Sequence, residues 1–146
     1  MNGNAQPISQ QPPRVAAVAL LEREHLPASD VTDQHLKRFF YTGPADAPTG
    51  MVGLEVYGTV ALLRSLVVSV GARSAGLGTA LIAHAEDHAG SQGVHALYLL
   101  TTTAESFFAR LGYIRIDRAV APAAIRLTRE FAALCPSSSA FMFKLV

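Results

Sequence analysis

Arg73-Ser74-Ala75-Gly76-Leu77-Gly78 is the part of this 146-residue sequence whose residue types and spacing point most directly to chemistry. It follows an apolar stretch, Val60–Val70, that predicts a strand, and it opens a Leu- and Ala-rich stretch, Gly76–Ala89, in which Leu77, Leu81 and Ala85 recur at helical spacing. The start of a helix leaves main-chain N–H groups unpaired and carries partial positive charge, so a pyrophosphate can rest there without a metal. Gly76 and Gly78 let phosphate oxygens approach the main chain, and Arg73 adds a charge-assisted contact. The cradle therefore runs from Arg73 through Ser74, Ala75 and Leu77 to Thr79. A Gly-x-Gly pair on its own also suits a turn, a cap or tight packing. It is not the dinucleotide fingerprint, since Leu81 stands where the third glycine belongs, and no Gly-Lys-Ser/Thr follows to make a P-loop.

A second group of polar residues lies on two neighbouring predicted strands, Met51–Tyr57 and Val60–Val70. Gly58-Thr59 reads as a two-residue hairpin turn, which sets Tyr57 opposite Val60 and Glu55 opposite Leu62. Arg64 then lies diagonally from Glu55 on one sheet face, close enough for an ion pair. His84 and His88, one helical turn apart, supply half a metal site with no further ligands at suitable spacing, so they read as solvated helix positions and no metal is expected. Cys135 beside Pro136 has no histidine in a nucleophile-activating context and reads as structural.

These residues need elements to hold them. Val15–Leu21 predicts a first strand, with helix as the rival because of its alanines. Ser29 and Asp30 would cap a helix ending near Phe39, Phe39–Thr42 is a strand, and the Gly- and Pro-rich stretch from Gly43 to Gly50 is a loop. His95–Leu100 predicts a strand, Ala104–Leu111 a short helix stopped by Gly112, Tyr113–Asp117 a strand, Pro122–Leu134 a helix and Phe141–Val146 a last strand. Consecutive strands early and alternating elements later indicate a mixed α/β sheet. Met1–Pro13, rich in Gln, Asn and Pro, reads as a flexible tail, and residues 14–146 as one domain.

Composition narrows the function class. Half the residues are apolar, and 12 basic against 11 acidic residues give a net charge of +1 with no basic block, so nucleic acid is not an expected partner. No apolar run is long enough to span a bilayer, and a single cysteine suits a reducing, cytoplasmic setting.

Arg73-Ser74-Ala75-Gly76-Leu77-Gly78 resembles the Gln/Arg-x-x-Gly-x-Gly/Ala motif of the GNAT acetyltransferase superfamily at every fixed position. Phe107-Phe108-Ala109-Arg110-Leu111-Gly112-Tyr113 resembles a second motif of that family, at the matching separation. The resemblance implies the GNAT fold, a mixed and mostly antiparallel central sheet flanked by helices. It also implies an N-acetyltransferase that uses acetyl-CoA as co-substrate, with no metal. A closer similarity is to the arsenic-resistance N-acetyltransferase branch, carried by Gly53-Leu54-Glu55, Leu62-Leu63-Arg64-Ser65-Leu66, Leu99-Leu100-Thr101-Thr102-Thr103-Ala104 and Leu134-Cys135-Pro136. That branch implies a small amine acceptor, such as the organoarsenical amino acid arsinothricin.

The resemblance also distributes roles. It implies that main-chain groups near Leu66, Val68 and Val70 pair with the pantetheine arm, and that a main-chain N–H at Leu66 or Val68 stabilises the developing oxyanion. An acceptor amine must lose a proton, which makes Glu55 the candidate base, directly or through water. Arg64 could hold the acceptor's anionic group through paired donors, with Ser65 adding a weaker bond, and Tyr41, Thr102 and Thr103 complete the acceptor side. Thr101 stands where the family often has a pantetheine-touching asparagine. Phe107 and Phe108 would pack on CoA, and Phe108 replaces the tyrosine that commonly serves the departing thiolate. Two other readings remain open: a protein or peptide amine acetyltransferase, and an acyl-CoA-binding module without catalysis. The assembly reads as a monomer or homodimer.

Overall fold

The computed structural model describes residues 7–73 and 76–146. Ser74 and Ala75, expected in the phosphate cradle, and the first six residues of the expected tail lie outside the described residues. Among the described residues, seven strands follow the sheet order β1-β2-β3-β4-β5-β7-β6. They are β1 (Ile8–Gln10), β2 (Phe39–Thr42), β3 (Gly50–Tyr57), β4 (Val60–Val68), β5 (Ala96–Thr101), β6 (Ile114–Arg115) and β7 (Ala140–Leu145). The helices are α1 (Arg14–Arg23), α2 (Asp33–Leu36), α3 (Leu77–Ser91), α4 (Glu105–Arg110) and α5 (Ala123–Arg126). The sheet is mixed and mostly antiparallel, as the sequence predicts: among the registered pairings only β4 with β5 is parallel.

The chain divides into two compact units, Met1–Leu54 with Ser65–Ala85, and Glu55–Arg64 with Glu86–Val146. Strands β3 and β4 each pass from one unit to the other part-way along their length. In the first unit, β1, β2 and β3 pair antiparallel, with Phe40 opposite both Gln10 and Val52. Its core gathers Ala17, Leu20, Leu21, Val31, Leu36, Phe39, Met51 and Val67. In the second unit, β4 pairs with β5 over Val60–Leu62 and β5 lies antiparallel to β7 along its full length. Leu62, Ala121, Ile125 and Phe141 form its core, with Tyr98 and Phe131 packed against them.

Several predicted elements change. Val15–Leu21, predicted as a strand, lies in α1. Ala17, Leu20 and Leu21 are buried at helical spacing while Val15 is exposed, the one-sided burial of a surface helix, and the alanines favour it. Ile8–Gln10, within the predicted tail, form β1. The second helix is shorter than predicted and is capped by Thr32, whose side chain accepts from the His35 N–H while the His35 ring takes the Thr32 N–H. Strand β4 stops at Val68, because the Ser69 N–H turns to the Thr49 carbonyl and Val70–Ala72 wind into a 3₁₀ turn. Val70 therefore lies outside the strand to which the sequence assigned it.

The predicted helix Pro122–Leu134 is two pieces, α5 and a π-helical turn over Glu130–Leu134. Between them the Thr128 hydroxyl donates to the Ile125 carbonyl and accepts from the Phe131 N–H, a local bond that competes with the main-chain ladder.

Candidate functional site

The glycine motif belongs to the first unit. Beyond β4 and its 3₁₀ turn the chain reaches Arg73, and Gly76 then enters α3 with φ of +75°. A Cβ placed on Gly76 would meet nothing within 4 Å, so backbone angle, rather than crowding, calls for glycine there. The Gly76 carbonyl accepts from the Ala80 N–H at 3.1 Å, and the first turn of α3 carries no acidic side chain. Unpaired N–H groups at such a helix start favour an anion. Leu77 is buried, Gly78 is half-buried and Thr79 is exposed.

Arg73 is 55% exposed. Its Nη2 donates to Glu24 Oε1 at 2.7 Å and its Nε to the Val68 carbonyl at 3.2 Å. The guanidinium is thus tethered at the end of β4. An exposed ion pair of this kind is worth roughly 0–1 kcal/mol, so a bound anion can compete for it.

Ser65 has φ of +60° inside β4. A left-handed residue breaks the pleat, and burial registers the change: Ala61 through Ser65 are all buried, after which Leu66 and Val68 are half-buried. Residue type alone gave no warning, since serine is not a residue that demands positive φ. Tyr41, expected on the acceptor side, sits in β2 opposite Met51 and Ser9 and packs against the first unit's core. His84, read as solvated, is half-buried with its ring edge-on to Phe40 at 4.7 Å.

The ionic group belongs to the second unit. Gly58, with φ of +65°, turns the β3–β4 hairpin. Arg64 Nη1 donates to Glu55 Oε2 at 2.8 Å, the diagonal contact that the hairpin predicts. Both side chains are buried, Arg64 at 0% exposure and Glu55 at 6%. Two participants were not foreseen. The Tyr57 hydroxyl donates to Glu55 Oε1, and Arg64 Nη2 lies 3.4 Å from Glu130 Oε2. Tyr57 could have been found two residues from Glu55 on the same strand face, but nothing in the run Arg129–Leu134 marks Glu130 as a partner. Cys135 packs beside this group, its Sγ donating to Glu130 Oε1 at 3.9 Å.

In the same unit, Phe108 is buried between Phe107 and Tyr113, with ring centroids 5.1 and 5.6 Å away. The Tyr113 hydroxyl donates to Glu86 Oε2 at 2.9 Å, and Lys144 Nζ reaches the same oxygen at 3.0 Å. Burial, with the Glu86 charge adding to it, pushes the Tyr113 phenol well above its ordinary range. Thr101 Oγ1 accepts from the Ala104 N–H at 3.0 Å, closing the turn into α4, while Thr102 and Thr103 are exposed.

A sequence profile of the acetyltransferase (GNAT) family matches residues 10–113, well over half of the chain. The chain belongs to the acetyltransferase (GNAT) family. The GNAT match takes in both the Arg73–Gly78 motif and the Phe107–Tyr113 segment. Solved structures repeat its fold at low identity. N-acetylglutamate synthase from Neisseria gonorrhoeae, complexed with coenzyme A and N-acetyl-glutamate, superposes with a TM-score of 0.79 at 20% identity, covering 97% of this chain and 35% of that one. This GNAT chain thus spans about a third of that relative's length. A GNAT-family acetyltransferase from Staphylococcus aureus gives 0.72 at 15% identity over 97% and 99% of the two chains. An aminoglycoside 6'-N-acetyltransferase complexed with coenzyme A gives 0.70 at 19%, over 95% and 96%. No curated protein matches the sequence. Among the described residues no helix is long and apolar enough to cross a membrane.

Proposed function

We propose that residues 14–146 act as one catalytic domain that transfers the acetyl group of acetyl-CoA directly to the amine of a small molecule. The observation that carries this reading is the entry to α3, with Gly76 in a left-handed conformation, open space around it and no acidic residue in the first turn, in a chain of this family. The pyrophosphate of acetyl-CoA would rest on the segment from Arg73 to Thr79, with Arg73 exchanging Glu24 for phosphate. Main chain at Leu66 and Val68, just past the kink at Ser65, would take the pantetheine arm and the thioester oxygen. Thr101, Phe107 and Phe108 are the further contacts assigned to CoA.

Glu55 is the proposed base. A carboxylate offers about four acceptor positions, so the bonds from Tyr57 and Arg64 leave room for a water that relays the amine proton. The burial of Arg64 beside Glu55 and Glu130 supports a role in holding Glu55 in place more than a direct grip on the acceptor's anion. Tyr41, Ser65, Thr102 and Thr103 remain assigned to the acceptor side.

For the acceptor we propose an amino-acid-like amine, with an organoarsenical amino acid such as arsinothricin as the specific candidate. Its support is the similarity of the Leu62–Leu66 and Leu99–Ala104 segments to the arsenic-resistance branch. A relative of the same fold also holds an N-acetylated amino acid. The proposed setting is the cytoplasm. Release of CoA thiol across a panel of amines, with amino-acid arsenicals, phosphinates and a lysine peptide, tests the reading. Thiol release driven by one small amine is the expected result. Turnover of the peptide alone would overturn the small-molecule acceptor, and acetyl-CoA binding without any turnover would leave a binding module.

A further inference from the structure

A cleft of about 430 Å³ opens within the second unit, where the chain leaving β6 passes the approach to β7. Arg115, Asp117, Arg118, Ser137 and Ser139 line it, and none of the residues assigned to acetyl transfer does. Two buried polar atoms of this lining, Arg118 Nη1 and Ser139 Oγ, have no hydrogen-bond partner among the described residues. Ser139 is only 3% exposed, so its hydroxyl is withdrawn from bulk water. Buried polar groups are almost always paired, and two left over in one cleft call for a ligand that pairs both.

Arg118, which has no acidic partner among the described residues, favours negative charge in that ligand. Arg118 is fixed rather than loose: Nη2 donates to the Phe131 carbonyl at 3.1 Å and the guanidinium carbon lies 4.5 Å from the centre of the Phe131 ring. Its Nη1 is therefore held in place with its donors unused. Asp117 turns one carboxylate oxygen back to the Ala119 N–H at 2.8 Å, and Arg115 at the rim is paired with Glu105 at 3.3 Å. The volume exceeds what a lone ion fills and suits an organic molecule.

We propose that this cleft binds a small organic carboxylate, one oxygen accepting from Arg118 Nη1 and the other from Ser139 Oγ. The carboxylate belongs either to the acetyl acceptor or to a separate effector. The effector source has a physical route to the ionic group, because Arg118 grips Phe131, the neighbour of Glu130, and Glu130 reaches Arg64.

The test is a titration of the full chain with L-glutamate and acetate, with acetamide as the neutral control, followed on arginine Nε–Hε NMR signals and by Tm. Wild type should show a saturable response to the carboxylates and none to acetamide. Affinity should fall roughly tenfold in Ser139→Ala and be lost in Arg118→Gln, while acetyl-CoA affinity stays the same. Should Arg118→Gln fail to fold, Ser139→Ala decides alone. No saturable response in wild type, an equal response to acetamide, or unchanged affinity in the folded variants would overturn the proposal. These readouts need no turnover, so their failure is separate from failure of the acetyltransfer reading. With a turned-over amine in hand, a raised acceptor KM in Ser139→Ala marks the acceptor's own carboxylate. An unchanged KM, with turnover that responds to added carboxylate only in wild type, marks an effector.

Discussion

Glu55 accepts from Tyr57 on one oxygen and from Arg64 on the other, and both charges of the pair lie out of solvent. Glu55→Gln keeps the shape and removes the negative charge. It should lower kcat by roughly 10²-fold or more while leaving acetyl-CoA affinity intact, read by steady-state kinetics and calorimetry. Arg64→Lys keeps the charge but cannot span Glu55 and Glu130 with one planar fork. A fall in kcat with little change in acceptor KM is expected; a raised acceptor KM with kcat preserved would restore Arg64 as the anchor of the acceptor's anion. Phe108 lacks a proton to give. Phe108→Tyr should retain turnover or increase it, because it supplies a hydroxyl at the position that the motif resemblance pairs with a proton-donating tyrosine. Complete loss in a variant with an unchanged urea midpoint would assign Phe108 to packing against Phe107 and Tyr113.

At the level of elements, the entry to α3 at Gly76 depends on one backbone angle. Gly76→Val would force a β-branched side chain into positive φ, a conformation it strongly avoids, and would put bulk over the helix start. Acetyl-CoA affinity should fall at least tenfold with most of the fold retained, measured by calorimetry and circular dichroism. Unchanged affinity would remove the pyrophosphate from this loop. The start of α3 was legible in the sequence because glycine spacing and a Leu/Ala helix are local signals. The diagonal Glu55–Arg64 contact was equally legible, since a two-residue turn fixes register. Glu130 was not, because its meeting with Arg64 depends on a π-helical turn that Thr128 sets by bonding its own neighbours. Helix α1 was misread for a related reason: an alternation-free run of Val, Ala and Leu fits either element, and packing against Phe39 and Met51 decides it.

For the molecule as a whole, the phenol of Tyr113 makes stability depend on alkaline pH. Its folded pKa lies above the ordinary value of 10.0, so the folded state holds the proton longer than the unfolded chain does. The stabilisation is present below pH 10 and is lost progressively above it, as the unfolded tyrosine ionises while the folded one still holds its proton. Urea midpoints should therefore decline between pH 9 and 11 more steeply in wild type than in Tyr113→Phe; parallel curves would show that the Glu86 and Lys144 contacts carry no such linkage. The sheet order has a consequence of another kind. Among the described residues its terminal strands are β1, with three residues, and β6, with two. Strand ends this brief expose few unsatisfied main-chain groups to a neighbouring molecule, so concentrated solutions of the folded protein should resist the edge-to-edge growth that longer bare margins invite.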